Sequence, residues 1–145
     1  MLDWSEIVLR LGAATLAGGL IGLNRDLHGK ATGVRTLGLV GLGAAVAVLT
    51  VGQASGDASR VIQGIVTGIG FLGAGVILRN SEGHVQGLTT AACVWLTACI
   101  GAACAVGEWH IVLLSVPIVF IVLVFGGRFE KLIHRHWPQR PADPE

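Results

Sequence analysis

The sequence predicts an all-α fold, a polytopic membrane bundle of five transmembrane helices whose core helices are rich in glycine. Hydrophobic residues make up 52% of the 145 residues and charged residues 13%, with a mean hydropathy of +0.71. Typical soluble domains contain about 25% charged residues. Three charge-free runs, 36–56, 61–78 and 85–107, are each long enough for the about 20 helical residues that cross a hydrocarbon core. Two shorter runs, 11–24 and 111–127, flank them.

Span 1 is predicted from Trp4 to Leu23, because a start near Trp4 gives the first run its full length. This start places Glu6 four residues before Arg10, so the two can pair near the interface. Gly18 and Gly22 form a small-xxx-small pair, a spacing that lets neighbouring membrane helices approach closely. We therefore expect one face of span 1 to pack tightly against another helix.

Span 2 is predicted at 36–53, after a polar loop at 24–36. It repeats the small-residue pattern of span 1 with several glycines and alanines. The loop that follows it is short, so spans 2 and 3 are expected to form an antiparallel hairpin.

Span 3 contains the segment 64–78, which is too glycine-rich for a soluble helix and too apolar for a loop. Each interior glycine costs a helix in water roughly 1 kcal/mol, but a bilayer leaves the backbone little alternative to helix. Gly64, Gly68 and Gly75 share one helical face, and Gly70 and Ala74 mark another, so this helix is expected to pack on two sides. The glycines predicted to pack helices are Gly18, Gly22, Gly64, Gly68, Gly70, Gly73 and Gly75.

The same segment matches a nucleotide-binding pattern, since Gly68, Gly70 and Gly73 spell G-x-G-x-x-G. That pattern requires a preceding strand, a turn that opens a helix, and an acidic residue about 20 positions on. Position 93 is instead Cys93, within another apolar run. The context excludes a dinucleotide loop.

Spans 4 and 5 differ in composition. Span 4, 88–106, is rich in alanine, glycine and cysteine, and its three cysteines are interpreted as small core residues because their spacing fits neither a zinc site nor a bridge within one helix. Span 5 has no glycine in 111–125 and carries Pro117, which predicts a lipid-facing helix outside a tight bundle of four. Residues 1–127 are thus predicted as a transmembrane domain, and 128–145 as a short basic cytoplasmic tail.

The distribution of lysine and arginine predicts the orientation. With five spans, one side of the membrane holds Arg25, Lys30, Arg35, Arg79, Arg128, Lys131, Arg135 and Arg140. Only Arg60 and Arg10 fall on the other side. Because cytoplasmic loops carry the excess of positive charge, the N-terminus is expected outside and the C-terminus in the cytoplasm.

Four stretches closely resemble the MgtC/SapB family of bacterial inner-membrane proteins. They are GLIGLNRD (19–26), GVRT (33–36), GIGFLGAGVI (68–77) and GLTTAA (87–92) with Trp95, and they occur in the family's order. The resemblance covers about residues 9–106. It implies a link to growth under magnesium limitation and to intracellular survival of pathogens, hence to virulence, and some members are reported to restrain the F-type ATP synthase.

The sequence departs from the family in two places. The usual loop motif begins Glu-Arg, whereas Asn24 replaces the acid here, so a role that needs a carboxylate at this position is not carried over. Many members also carry a soluble ACT-like cytoplasmic domain. Since the chain ends at Glu145, we expect the membrane domain alone.

Arginine and threonine residues at the starts of spans 2 and 4 predict an anion-binding or partner-binding site on the cytoplasmic side. Helix N-termini favour anions, and arginine provides a fork of donors for phosphate or carboxylate. The guest could be a lipid headgroup, an acidic side chain of a partner, or the protein's own Asp26 or Glu82. The residues concerned are Arg25, Arg35, Thr36, Arg79, Thr89 and Thr90.

No enzymatic function is predicted, since the sequence shows no nucleophile motif, no paired carboxylates, no metal-binding cluster and no cofactor motif. Partners are expected to be the lipid bilayer, a second copy in a homodimer, and another membrane complex such as the F-type ATP synthase, but no nucleic acid. Association is therefore the expected mode of action. The alternative is a small channel or transporter for magnesium or another ion, although Asp57 and Glu82 are the only acids between Asp26 and Glu108.

Overall fold

A computed structural model describes residues 2–51, 57–79 and 85–136. These residues form five helices and one small hairpin. The helices are α1 (Trp4–Leu27), α2 (Val34–Val51), α3 (Asp57–Gly75), α4 (Leu88–Val106) and α5 (Trp109–His136), and strands β1 (Leu78–Arg79) and β2 (Val85–Gln86) lie between α3 and α4. The predicted all-α class is confirmed, and α4 has the predicted bounds.

Four of the described helices are long and apolar enough to cross a membrane, over Trp4–Leu27, Val34–Val51, Leu88–Val106 and Trp109–Gly127. The helix α3 is not one of them, because charged residues in its first turn, Asp57 and Arg60, lower its mean hydropathy. The span predicted from Val61 left these two residues out. Whether α3 crosses the membrane stays a prediction. At the other end of the chain, α5 runs beyond the predicted span to His136, so the predicted tail begins as a continuation of this helix. Residues 137–145 of that tail lie outside the described residues.

The core lies where α1, α2 and α4 meet. Glycines let the three backbones touch: a Cβ on Gly18 of α1 would overlap the Leu37 carbonyl of α2, and one on Gly101 of α4 would overlap the Gly41 carbonyl of α2. A Cβ on Gly41 would lie 2.5 Å from the Ala14 carbonyl oxygen of α1. Small residues at such crossings are typical of membrane helix packing. The largest fully buried side chains are Ile21, Leu37, Val48, Val94, Thr97 and Cys104.

The helices α3 and α5 lie at the edge of this core. α5 packs against α4 and α1 through Val112 and Val119 and leaves most of its other apolar side chains exposed, as predicted for a lipid-facing helix. α3 packs against α4 and α2, and Gly73 is its one buried residue. Within the single chain, α3 therefore packs on one side only. The predictions that it packs on two sides and belongs to a tight bundle of four helices were wrong in this respect.

The hairpin between α3 and α4 was not predicted. Its strands are antiparallel, with Leu78 opposite Gln86 and Arg79 opposite Val85. Gly87 closes it with φ +93°, and a Cβ there would overlap the Val76 carbonyl, so the position requires glycine. The chain leaves the helix at Gly75, three residues before the predicted end, to make this approach. The middle of the predicted turn, 80–84, lies outside the described residues.

Candidate functional site

Arg25 is a buried cation in the last turn of α1. It is 5% exposed, and its Nη2 donates a hydrogen bond of 2.6 Å to the hydroxyl of Thr90, in the first turn of α4. Its Nε is buried without a hydrogen-bond partner. Among the described residues, no carboxylate forms an ion pair with it. The structure therefore brings together Arg25 and Thr90, two of the six residues predicted for the anion site.

The N-terminus of α4 faces the same guanidinium. Gly87 is its N-cap and provides no side-chain hydrogen bond, although the Gly87 carbonyl accepts a hydrogen bond of 2.8 Å from the N–H of Ala91. The first N–H groups of a helix have no partner within the helix, and the helix dipole gives this end a partial positive charge. A buried arginine and a positive helix end therefore meet at Thr90, an arrangement that favours an anion.

The N-terminus of α2 is already capped by the protein itself. Asp26 accepts a hydrogen bond of 2.9 Å from the Val34 N–H through Oδ2. Gly33 makes room for this carboxylate, since a Cβ at Gly33 would overlap Asp26 Oδ1. The start of α2 is thus occupied by Asp26, which is one of the anions considered for the predicted site.

Arg35 and Thr36 face a different neighbour. Both are exposed and lie at an open cleft of about 700 Å³ between α2 and α3, whose other lining residues are mainly apolar. Arg25 contacts Thr90 of α4 instead, and no hydrogen bond among the described residues joins the two arginines. The backbone of Arg79 pairs with Val85, its side chain lies outside the described residues, and Thr89 is exposed.

Arg10 occupies the opposite end of α4. It pairs with Glu6 at 2.8 Å, as the sequence predicted, and it is 8% exposed. Its Nη1 also donates a hydrogen bond of 2.5 Å to the Ala105 carbonyl in the last turn of α4. A cation at a helix C-terminus is stabilising because the carbonyl end is negative. The sequence reasoning missed this second contact, since it joins residues that lie 95 positions apart.

The predicted packing glycines fall into two groups. Gly18 and Gly22 touch α2 or the residues just before it, and Gly73 lies against Ala91 of α4. At the other four glycines an added Cβ would meet no atom within 4 Å; these are Gly64, Gly68, Gly70 and Gly75. The sequence reasoning missed the closest contacts on α2 and α4, those of Gly41 and Gly101.

The cysteines and histidines show no sign of metal binding in the described part of the chain. No group of three or more histidine, cysteine or acidic side chains lies close enough to hold a metal there. Cys93 and Cys104 are buried free thiols and Cys99 is half-buried, in keeping with small core residues. Nδ1 of His28 lies 2.7 Å from the Asn24 carbonyl oxygen of its own helix.

Comparison with known proteins places these features in context. The model of the MgtC family matches residues 11–132. Protein SrpB from Synechococcus elongatus is 40% identical over 150 residues, which cover 93% of this chain and 81% of SrpB. The "Putative magnesium transporter YhiD" from Escherichia coli K12 is 36% identical over 92% of this chain and 66% of its own length. Protein MgtC from Salmonella typhimurium is 44% identical over 77% of this chain, but over 48% of its own length.

The chain therefore spans most of SrpB, about two thirds of YhiD and about half of MgtC. No solved structure matches it significantly.

Proposed function

The chain belongs to the MgtC family, and we propose that it acts in the membrane by association rather than by catalysis, as a homodimer joined through α3. The observation that carries this proposal is the unpacked glycine face of α3. A Cβ added at Gly64, Gly68 or Gly75 would meet nothing within 4 Å, and Phe71 beside these glycines is 84% exposed.

Position along the helix supports one continuous face. At 100° per residue, Gly64, Gly68 and Gly75 fall within about 40° of one another, roughly opposite the buried Gly73. Gly64 and Gly75 therefore point away from the contact that Gly73 makes with α4, and Gly68 lies at the border of this face, where it also lines the cleft between α2 and α3. A glycine that faces lipid makes no stabilising contact with another helix. A G-x-x-x-G pair, in contrast, lets the backbone of a second helix approach closely.

A second copy of this chain is the occupant that fits the face best. Two copies with the same orientation in a membrane are related by an axis along the membrane normal, so a C2 interface brings the same residues of both α3 helices together. G-x-x-x-G pairs suit such parallel crossings. The apolar character of Phe71 and its neighbours keeps the interface free of like charges at this depth.

Oxidative cross-linking tests the interface directly. Phe71→Cys on α3 and Leu113→Cys on α5 have similar exposure, 84% and 71%, and form a matched pair in a background where the three native cysteines are alanine. We expect a disulfide-linked dimer for Phe71→Cys, no dimer for Leu113→Cys, and loss of the dimer when Gly68→Leu is added. Equal cross-linking at both positions, or none at position 71, would contradict the proposal.

Another membrane complex is the other occupant considered for this face. The family resemblance suggests the F-type ATP synthase, together with a role under magnesium limitation and in intracellular survival. The orientation proposed from the positive charges, N-terminus outside the inner membrane and C-terminus in the cytoplasm, would leave α3 open to such a complex. If Phe71→Cys forms a defined cross-link to a protein other than itself, that complex replaces the homodimer.

Ion transport is the second candidate, because the name of the relative YhiD mentions magnesium transport. The cleft between α2 and α3 is the path to consider, but Arg35 lies at it and its other lining residues include no carboxylate. Mg²⁺ is usually held by carboxylates and keeps several waters, so a cationic and mainly apolar cleft opposes its entry. Mg²⁺ flux into liposomes that is abolished by Gly43→Leu, a change on the α2 wall of this cleft, would favour transport over association.

A further inference from the structure

We propose that the guanidinium of Arg25, the hydroxyl of Thr90 and the free N–H groups at the start of α4 form a binding site for a phosphate group. The site does not depend on the proposed dimer. Free phosphate and the phosphate of an anionic lipid share the chemistry that these donors recognise, and the experiment below separates the two sources.

Arg25 carries a charge that no described residue balances. The residue is 95% buried, given its exposure of 5%, yet among the described residues its guanidinium makes a single side-chain hydrogen bond, to the neutral Thr90 hydroxyl. Its Nε has no partner. A buried charge is costly unless it is paired, and removal from water without a counter-ion leaves this cost uncompensated.

The acid that follows Arg25 in the sequence, Asp26, already caps another helix. Its carboxylate caps α2 through the Val34 N–H and is exposed. The one ion pair among the described residues, Arg10 with Glu6, lies at the other end of α1. The counter-ion for Arg25 therefore has to come from outside the described part of the chain.

The start of α4 provides further hydrogen-bond donors beside Arg25. The N-cap Gly87 leaves the first N–H groups without a side-chain acceptor, and Arg25 reaches Thr90, the third residue of the helix. Phosphate accepts several hydrogen bonds at once, from backbone N–H groups at a helix start, from a hydroxyl and from arginine. Leu88 and Thr89 are exposed, so the first turn of α4 is open to a ligand.

Arg10 and Arg25 lie at opposite ends of α4, and the described residues balance the charge of Arg10 but not that of Arg25. Arg10 lies at the C-terminus of α4, where it is balanced by Glu6 and by the Ala105 carbonyl. Arg25 lies at the N-terminus of the same helix, where the dipole adds to its positive charge. The same residue type is therefore neutralised at one end of α4 by described residues of the protein and lacks a counter-ion among the described residues at the other.

Thermal unfolding of the full chain in a phosphate-free maltoside detergent tests the proposal. One arm adds sodium phosphate against sodium chloride at equal ionic strength, and the other adds phosphatidylglycerol against a phosphate-free galactolipid. We expect at least one phosphate source to raise the Tm of the wild type. A rise with inorganic phosphate identifies the free anion as sufficient, and a rise with phosphatidylglycerol alone identifies the headgroup.

Two variants and two controls assign the effect to the site. Arg25→Gln and Thr90→Val remove the proposed donors, while Arg35→Gln and Thr36→Val make the same changes at exposed positions of α2. We expect phosphate affinity to fall about tenfold or more in the first pair, because hydrogen bonds to charged groups are among the strong ones, and to stay unchanged in the second pair. Thr90→Val keeps the shape of the side chain, so it reports on binding even if Arg25→Gln folds poorly.

Two results would overturn the proposal. One is a Tm of the wild type that neither phosphate source changes. The other is a phosphate response that Arg25→Gln and Thr90→Val retain at the level of their controls.

Discussion

The contact between α1 and α2 makes a quantitative prediction for two glycines of one helix. A Cβ on Gly41 would lie 2.5 Å from the Ala14 carbonyl oxygen, whereas a Cβ on Gly43 would have nothing within 4 Å. Both positions lie inside α2, so Gly→Ala brings the same gain in helix propensity at each, up to about 1 kcal/mol in water. The difference between Gly41→Ala and Gly43→Ala therefore isolates the cost of packing.

That cost follows from the distance. An ordinary van der Waals contact of a Cβ begins at 3.4 Å, so the helices must separate by roughly 1 Å, and overpacking of this kind costs about 1–3 kcal/mol. We expect Gly41→Ala to be less stable than Gly43→Ala by this amount. For a chain of this size, about 2–4 °C in Tm corresponds to each kcal/mol.

Helicity measured by circular dichroism during titration of mixed micelles with dodecyl sulfate gives the two stabilities. Gly43→Ala should match or exceed the wild type, and Gly41→Ala should unfold at a lower denaturant fraction. Equal unfolding midpoints for the two variants would refute the close α1–α2 contact on which the core depends.

Two further predictions concern polar contacts at the two ends of the bundle. Arg10→Gln leaves Glu6 and the Ala105 carbonyl without their cation, so the same titration should show a free energy of unfolding lower by about 1–3 kcal/mol. Lys30→Gln, at an exposed position, should show no such loss. Asp26→Ala removes the side chain that caps α2, which should cost about 1 kcal/mol and speed hydrogen exchange of the Val34 amide. Unchanged exchange there would contradict the cap.

The helices were largely predictable because their signals are local. Long apolar runs with few charges predicted four of the spans, and the span predicted from Leu88 to about Val106 coincides with α4. The end of α3 was not predictable in the same way, because the chain leaves the helix to bring Val76 against Gly87. That approach depends on tertiary contact, and a two-residue strand carries too little sequence pattern to indicate it.

The candidate site was predictable in part for a similar reason. The predicted helix starts included Thr90, and the predicted polar loop 24–36 included Asp26 as a possible internal anion. Arg35 could not be separated from Arg25 by sequence, because the rotation of α2 about its axis decides that Arg35 lies at the α3 cleft. The same limit applies to glycine: composition showed that Gly41 and Gly68 are small, but only the position of neighbouring helices shows that Gly41 is covered and Gly68 is open.

Self-association through α3 is tested most directly by the dimer dissociation curve in bilayers. Donor-labelled and acceptor-labelled copies are mixed at decreasing protein-to-lipid ratios, and energy transfer gives the dimer fraction for the wild type, Gly68→Leu on α3 and Gly12→Leu on α1. Both glycines have open space around them in the single chain, so neither leucine should disturb its fold. We expect the wild type and Gly12→Leu to dimerise alike and Gly68→Leu to remain monomeric. Dimerisation of Gly68→Leu at wild-type strength, or a wild type that is monomeric at every ratio, would contradict the account.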